Sequence, residues 1–260
     1  MAQRYVTVVG ILGEPESGKT AALVSLYLLV ANAKLSGWSF ADSQSLLAFE
    51  DIARGSRQWN SGSPPEQMTV HTHLSDDRRP GFLHLRLRRA SDGHCVDLAL
   101  PDLPGEWTTD LVLTARWDRL DFLCSADVIW VVVDGRTLAD RVKKQRTIVR
   151  LSQLAGRLKA CMQQGVPQII LVVTHRDTGE VPSATLDHIR AEFSKHGQQL
   201  TIVEVASFAK TTNAFGIKPG HGLEKLIDCT TNASVRPLLF WPDADTVENQ
   251  RSYLNFRRGR

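Results

Sequence analysis

The sequence holds 260 residues, 42% of them hydrophobic and 23% charged, which is ordinary for a globular protein of one large domain or two small ones. Collagen, a coiled coil and a wholly disordered chain are excluded. Lys plus Arg is 31 and Asp plus Glu is 28, a formal net charge of +3, which gives no general affinity for nucleic acid or a membrane surface.

In chain order, Tyr5 to Leu12 is rich in β-branched residues and runs into glycine, so it predicts a buried strand. Leu23, Leu26, Tyr27, Val30 and Ala31 recur at helical spacing and predict a helix over 18–37. Leu46, Leu47, Phe49 and Ile52 predict a shorter helix over 43–54. Residues 55–81 turn rich in Gly, Ser, Pro and Asp, an irregular loop with a short strand at 68–74. Alternation over 82–89, the turn Ser91-Asp92-Gly93 and the apolar run 94–100 predict a hairpin with one wet face. Continuous β-branched runs at 127–134, 168–174 and 200–206 suit parallel strands buried on both faces. Helical patterns at 138–164, 183–196 and 222–230 separate or follow them. The fold this predicts is α/β in three layers: a mostly parallel sheet with helices on both faces, and the hairpin strand 82–89 as one antiparallel edge strand. Residues 236–260 read as a C-terminal tail, basic at Arg257, Arg258 and Arg260.

Cys95, Cys124, Cys161 and Cys229 lie far apart, with no Cys-x-x-Cys and no Cys/His cluster. They are expected to be buried, reduced thiols of a cytoplasmic protein, not zinc ligands. No apolar run approaches the ~20 residues that span a bilayer, and no secretory signal precedes the first strand. His71 and His73 share one strand face, but no third metal ligand is in sight. Lys143, Lys144 and Arg146 read as a solvated helix face.

Gly13-Glu14-Pro15-Glu16-Ser17-Gly18-Lys19-Thr20 matches G-x-x-x-x-G-K-[ST] in full, strand before and helix after. Glycines let the backbone wrap so that N–H groups point at phosphate oxygens, and the helix start beyond Gly18, with Ala21, adds its dipole. Lys19 supplies a point charge and the Thr20 hydroxyl can ligate Mg²⁺. Average residue usage gives roughly 0.01 chance matches in a chain this long. Glu14 and Glu16 repel a polyphosphate unless they face away from it or reach a metal.

Asp102 ends the strand beside this loop and can hold Mg²⁺ through water, while Gly105 places a backbone N–H at the γ-phosphate. The plain alternative for Asp102–Gly105 is a surface turn. Thr174-His175-Arg176-Asp177 ends the strand 168–174. Its Asp177 can accept from guanine N1–H and the 2-amino group, a pattern adenine lacks; the alternative is a helix cap or a solvated carboxylate. Ala206-Ser207-Phe208-Ala209-Lys210 ends the next strand, where backbone N–H groups can contact guanine O6; the alternative is an ordinary strand exit.

These segments, in this order, resemble a P-loop GTPase of the Ras-like, translation-factor-related class. Gly13–Thr20 resembles the first GTPase motif, Asp102–Gly105 the D-x-x-G motif, Thr174–Asp177 the [NT]-K-x-D motif and Ala206–Lys210 the loose S-A-K/L motif. The likeness runs from residue 5 to about 230, a domain set at 1–235 with 55–81 as its switch-one-like loop. Asp-Leu-Pro-Gly-Glu-Trp, the Glu-Pro in the phosphate loop and Ala-Asp-Val-Ile-Trp-Val-Val-Val-Asp-Gly look most like bacterial double-GTPase proteins. The resemblance implies a P-loop NTPase fold, GTP/GDP and Mg²⁺ as ligands, a protein effector or activating partner, and by analogy a bacterial conflict or defence setting. There are three departures. His175 stands at the usual Lys, Glu106 follows Gly105 where many members carry a water-positioning Gln, and the switch-one Thr is Thr69 or Thr72, with Thr69 preferred.

The mechanism implied is Mg²⁺ held by Thr20, Asp102 through water and Thr69. Lys19, Gly105 and the loop amides take up charge, with Glu106 on the attacking water. Arg78, Arg79 and Arg116 are unplaced as transition-state arginines, so hydrolysis is expected to be slow and partner-assisted. A GTP-dependent switch is the leading function. A nucleotide-binding scaffold without useful turnover and an ATPase are its rivals, the first motivated by Glu106 and the acidic loop, the second by His175. Trp107 is either a reporter of the switch, a partner surface or a packing residue.

Overall fold

The computed structural model describes residues 5–53, 81–162, 165–209 and 214–232. Residues 55–80 of the expected switch loop lie outside that set, and with them Thr69, Thr72, His71, His73, Arg78 and Arg79. So do Lys210 and the tail 236–260.

Among the described residues seven strands form one sheet in the order β2-β3-β4-β1-β5-β6-β7. They are β1 (Val6–Leu12), β2 (Trp38–Asp42), β3 (Phe82–Arg89), β4 (Cys95–Pro101), β5 (Val128–Asp134), β6 (Gln168–Thr174) and β7 (Leu200–Glu204). The helices are α1 (Lys19–Ala31), α2 (Leu46–Ile52), α3 (Gly105–Thr114), α4 (Gly135–Ala139), α5 (Lys143–Cys161), α6 (Ser183–Lys195) and α7 (Leu223–Thr231), with a 3₁₀ turn at Asp121–Ser125.

The continuous apolar runs are buried on both faces, as their composition predicts. Val128, Trp130 and Val132 of β5 and Ile170 and Val172 of β6 face one core with α1 and α7. Ile129, Val131, Val133, Ile169, Leu171 and Val173 face a second core with α3, α5 and α6. Two cores on one sheet make the three layers. Two indoles pin α7: Trp130 Nε1 donates to Thr230 at 2.9 Å and Trp38 Nε1 to Asp228 at 2.8 Å.

The fold class holds, with one change of position. β3 runs antiparallel to both neighbours, yet it is not the edge, because β2 pairs outside it. The helix expected to reach residue 37 stops at Ala31, and a turn with Gly37 at φ 77° releases the chain into β2. The helix expected over 138–164 is two: Asp140 accepts from the N–H groups of Val142 and Lys143 and so starts α5 afresh. The hairpin does have a wet face, since Leu83, Leu85 and Leu87 are buried while Arg88 is exposed. All four cysteines are free, as reduced thiols would be, but burial fails: Cys124 is exposed and the other three only partly covered.

Candidate functional site

The loop between β1 and α1 is bent by two left-handed residues, Glu16 at φ 61° and Gly18 at φ 94°. Glycine takes that conformation without cost; at Glu16 it is a local strain. Three contacts from other elements hold the curve. The Gly13 N–H donates to Thr108 Oγ1 of α3 at 3.0 Å. The Thr174 hydroxyl at the end of β6 donates to the Ser17 carbonyl at 2.9 Å. Gly105 lies so near that a β-carbon there would sit 2.2 Å from Pro15 N and 2.6 Å from the Glu14 carbonyl carbon.

Lys19 opens α1 and folds back under the loop, where Nζ donates to the carbonyls of Gly13 at 2.9 Å and Glu14 at 3.0 Å. It is only 7% exposed. Burial pushes its ammonium down to about 8, against the opposing pull of Asp102, Glu106 and Glu14. Thr20 Oγ1 donates to Asp102 Oδ1 at 2.9 Å. The Ser17 hydroxyl is buried without a hydrogen-bond partner among the described residues. Glu14 turns away from the loop and pairs with Arg150 of α5, while Glu16 stays exposed.

A cavity of about 500 Å³ opens along this arrangement, lined by Pro15, Glu16, Gly18, Lys19, Thr20, Ala21, Leu103, Pro104, Gly105, Glu106, Arg136 and His175. The first two predicted motifs and His175 therefore meet at one place. Asp177 is partly buried beyond it in the turn after β6, where Thr178 N–H donates to the His175 carbonyl at 3.0 Å. Past β7, the Ser207 carbonyl accepts from Ser25 of α1 at 2.8 Å, and Phe208 packs on the α1 core. Glu106 stands in the first turn of α3, where a helix N-terminus favours a carboxylate.

Two residues that the sequence did not single out border the cavity or support it. Asp134 closes β5, and its carboxylate takes Arg136 Nε at 3.1 Å and Nη2 at 2.9 Å. Burial pushes that carboxyl up, but hydrogen bonds from His175 and from the Arg136 side chain and N–H outweigh it and hold Asp134 well below the usual carboxylate range. Trp107 is 5% exposed inside the second core, with the Arg119 guanidinium 5.5 Å from its ring centroid, so its role is packing. Arg116 lies at the surface beside Asp110 and Asp118.

Hard oxygen donors suit magnesium, and Thr20 beside Asp102 supplies two of them. Among the described residues no cluster of three or more His, Cys, Asp or Glu side chains could hold a metal alone, so phosphate and water oxygens would have to complete such a site.

A strand–loop–helix that aims a lysine and a hydroxyl at a cavity beside Asp102–Gly105, on a seven-stranded sheet of this order, defines a P-loop GTPase fold. The model of the family Double-GTPase 2 matches residues 7–231, and the chain belongs to that family. The chain is similar in structure to the signal recognition particle receptor SRb-GTP/SRX complex from Chaetomium thermophilum, with TM-score 0.52 and 13% identity over 89% of this chain and 100% of that one. It is also similar to the cytosolic domain of the T. maritima FeoB iron transporter in GMPPNP form, with TM-score 0.39 and 19% identity over 87% of this chain and 63% of that one. No curated protein matches. Membership of a family described as double-GTPase supports guanine-nucleotide binding. Among the described residues no helix is long and apolar enough to cross a membrane.

Proposed function

We propose that this protein is a cytoplasmic GTP-binding switch that hydrolyses GTP slowly with Mg²⁺ and acts with a protein partner, by family analogy in a bacterial conflict or defence system. The observation that carries it is the convergence of Lys19, Thr20–Asp102 and Gly105–Glu106 on one cavity.

Gly13 to Ala21 wrap the phosphates with main-chain N–H groups. Lys19 leaves the carbonyls of Gly13 and Glu14 for the outer phosphates, which favour the ammonium that burial disfavours. Thr20 and Asp102, joined by Thr69 from the switch loop, would hold Mg²⁺, which supplies charge neutralisation on the phosphate oxygens. Gly105 N–H binds the γ-phosphate. Glu106, next to it, accepts a hydrogen bond from the attacking water and orients it. Thr174, His175, Asp177, Ser207 and Phe208 form the base end, with Asp177 reading guanine.

A scaffold without turnover is the second reading, because Glu106 and Glu16 both bring negative charge to the cavity wall. An ATPase is the third, resting on His175. Calorimetry with GTP, GDP and ATP, together with steady-state phosphate release, tests all three. Turnover lost in Lys19→Ala supports the switch. Guanine binding without turnover, partner present, supports the scaffold, and equal GTP and ATP affinities support the ATPase. Retention of no purine triphosphate overturns the proposal.

A further inference from the structure

His175 sits at φ 59°, a backbone state that is strained for a residue with a β-carbon and persists where its surroundings enforce it. Its surroundings do so. Nδ1 lies 2.9 Å from Thr174 Oγ1 and 3.1 Å from Asp134 Oδ1. The Thr174 hydroxyl spends its proton on the Ser17 carbonyl, and an ionised Asp134 only accepts. The proton shared among these atoms is therefore on His175 Nδ1, an assignment made from the network. That leaves Nε2 as the ring's free end, with no hydrogen-bond partner among the described residues, on a side chain that lines the cavity. The same carboxylate grips Arg136: Oδ2 takes Nε and Nη2, and Oδ1, the oxygen beside His175, takes the Arg136 backbone N–H. Arg136 lines the cavity too, its side chain half exposed. Its guanidinium is favoured first by the Asp134 carboxylate and further by the charges of Glu16 on the phosphate loop and Asp177 in the turn after β6.

We propose that Asp134 is a positioning residue that aims two binding side chains, His175 Nε2 and Arg136, at the sugar and α-phosphate oxygens of a bound guanine nucleotide, the stretch between the loop and the base. The inference rests on the nucleotide-binding reading above. A single lysine at position 175 would bring its own charge there; this chain divides the task between a histidine and an arginine and needs Asp134 to register both. The register supports it: Asp134 and Thr174 are direct partners across β5 and β6, so the strand pairing places the carboxylate beside His175.

The test is calorimetry of the full chain with GDP and with GTP, each with magnesium, on Arg136→Ala, His175→Ala, Asp134→Asn and the double variant Asp134→Asn/His175→Lys. Each single change is expected to weaken GDP and GTP alike by about tenfold, the scale of one charge-assisted hydrogen bond, because both nucleotides share the sugar and α-phosphate. The lysine variant is expected to recover most of what Asp134→Asn loses, since an ammonium needs no carboxylate to aim it; a purely structural role for Asp134 would not be rescued. Should Asp134→Asn fail to fold, the half-exposed Arg136→Ala decides the matter. Single variants that bind GDP as the parent does, while Lys19→Ala binds far more weakly, overturn this inference alone. A loss confined to GTP overturns the placement. A parent protein that binds no guanine nucleotide overturns the functional reading and this inference together.

Discussion

The two ends of the cavity are built from different materials. At the proposed phosphate end the wall is mostly main chain: loop N–H groups, the carbonyls that park Lys19, and Gly105 backed onto the Glu14–Pro15 peptide. At the other end it is side chains, the cluster of Asp134, Arg136, Thr174 and His175. Backbone geometry is indifferent to most substitutions outside the loop, so the first end depends on spacing more than on side-chain identity. A side-chain cluster can be rebuilt residue by residue, and in the arrangement proposed above a histidine takes the place of a lysine through a carboxylate one strand away.

Breaking the phosphate end is expected to have the largest effect. Lys19→Ala removes the one loop cation and should lower GTP and GDP affinity by about a hundredfold, read by calorimetry. Gly105→Ala drives a β-carbon into the loop backbone, which cannot yield as a flexible side chain would. A loss of about 1–3 kcal/mol is expected, seen as a melting temperature lower by about 2–4 °C for each kcal/mol, together with slower phosphate release. The Lys19 value of about 8 gives a pH test. A polyphosphate favours the charged ammonium, so the bound value is higher than the free one. Affinity is then complete below about pH 8 and falls as pH rises through it, about tenfold between pH 7 and pH 9; a flat profile in Lys19→Arg checks the assignment.

Changes at the base end sharpen the contrast, because they should alter preference more than affinity. Asp177→Asn is expected to reduce the ratio of GTP to ATP affinity by about tenfold while leaving Lys19-dependent binding in place, measured by competition. The smallest effect is expected at the rim. Arg150→Ala strips Glu14 of its partner and should weaken GTP about threefold, a loss that Glu14→Gln added to it reverses.

How far the sequence could be read follows from the same contrast. β1, β5 and β6 were legible because burial on both faces forces continuous apolar runs. β2 was not, since of its five residues only Trp38 is buried, and the run of helical spacing before it carried the prediction through to Gly37. α3 was hidden by Pro101, Pro104 and Gly105, which read as turn residues, although Pro104 stands just ahead of the first helical turn, where proline is tolerated. The phosphate loop was legible because its chemistry is contiguous in the chain. Thr108, Asp134 and Arg150 were not, because only the packing of α3 and α5 and the β5–β6 register carry them to the loop. Glu14 seemed an obstacle to anion binding in the sequence; the distant Arg150 resolves it.

The seat of Gly105 and Thr108 against the phosphate loop has a mechanical consequence. Two points of one ten-residue helix, a rod about 15 Å long, rest on the curve that would close around an anion. A shift of that curve by a fraction of an ångström tilts the rod, and the tilt grows with distance from the fulcrum. Leu113, 59% exposed at the far end, is where such a lever would turn an event inside the cavity into a change of outline that another molecule could feel.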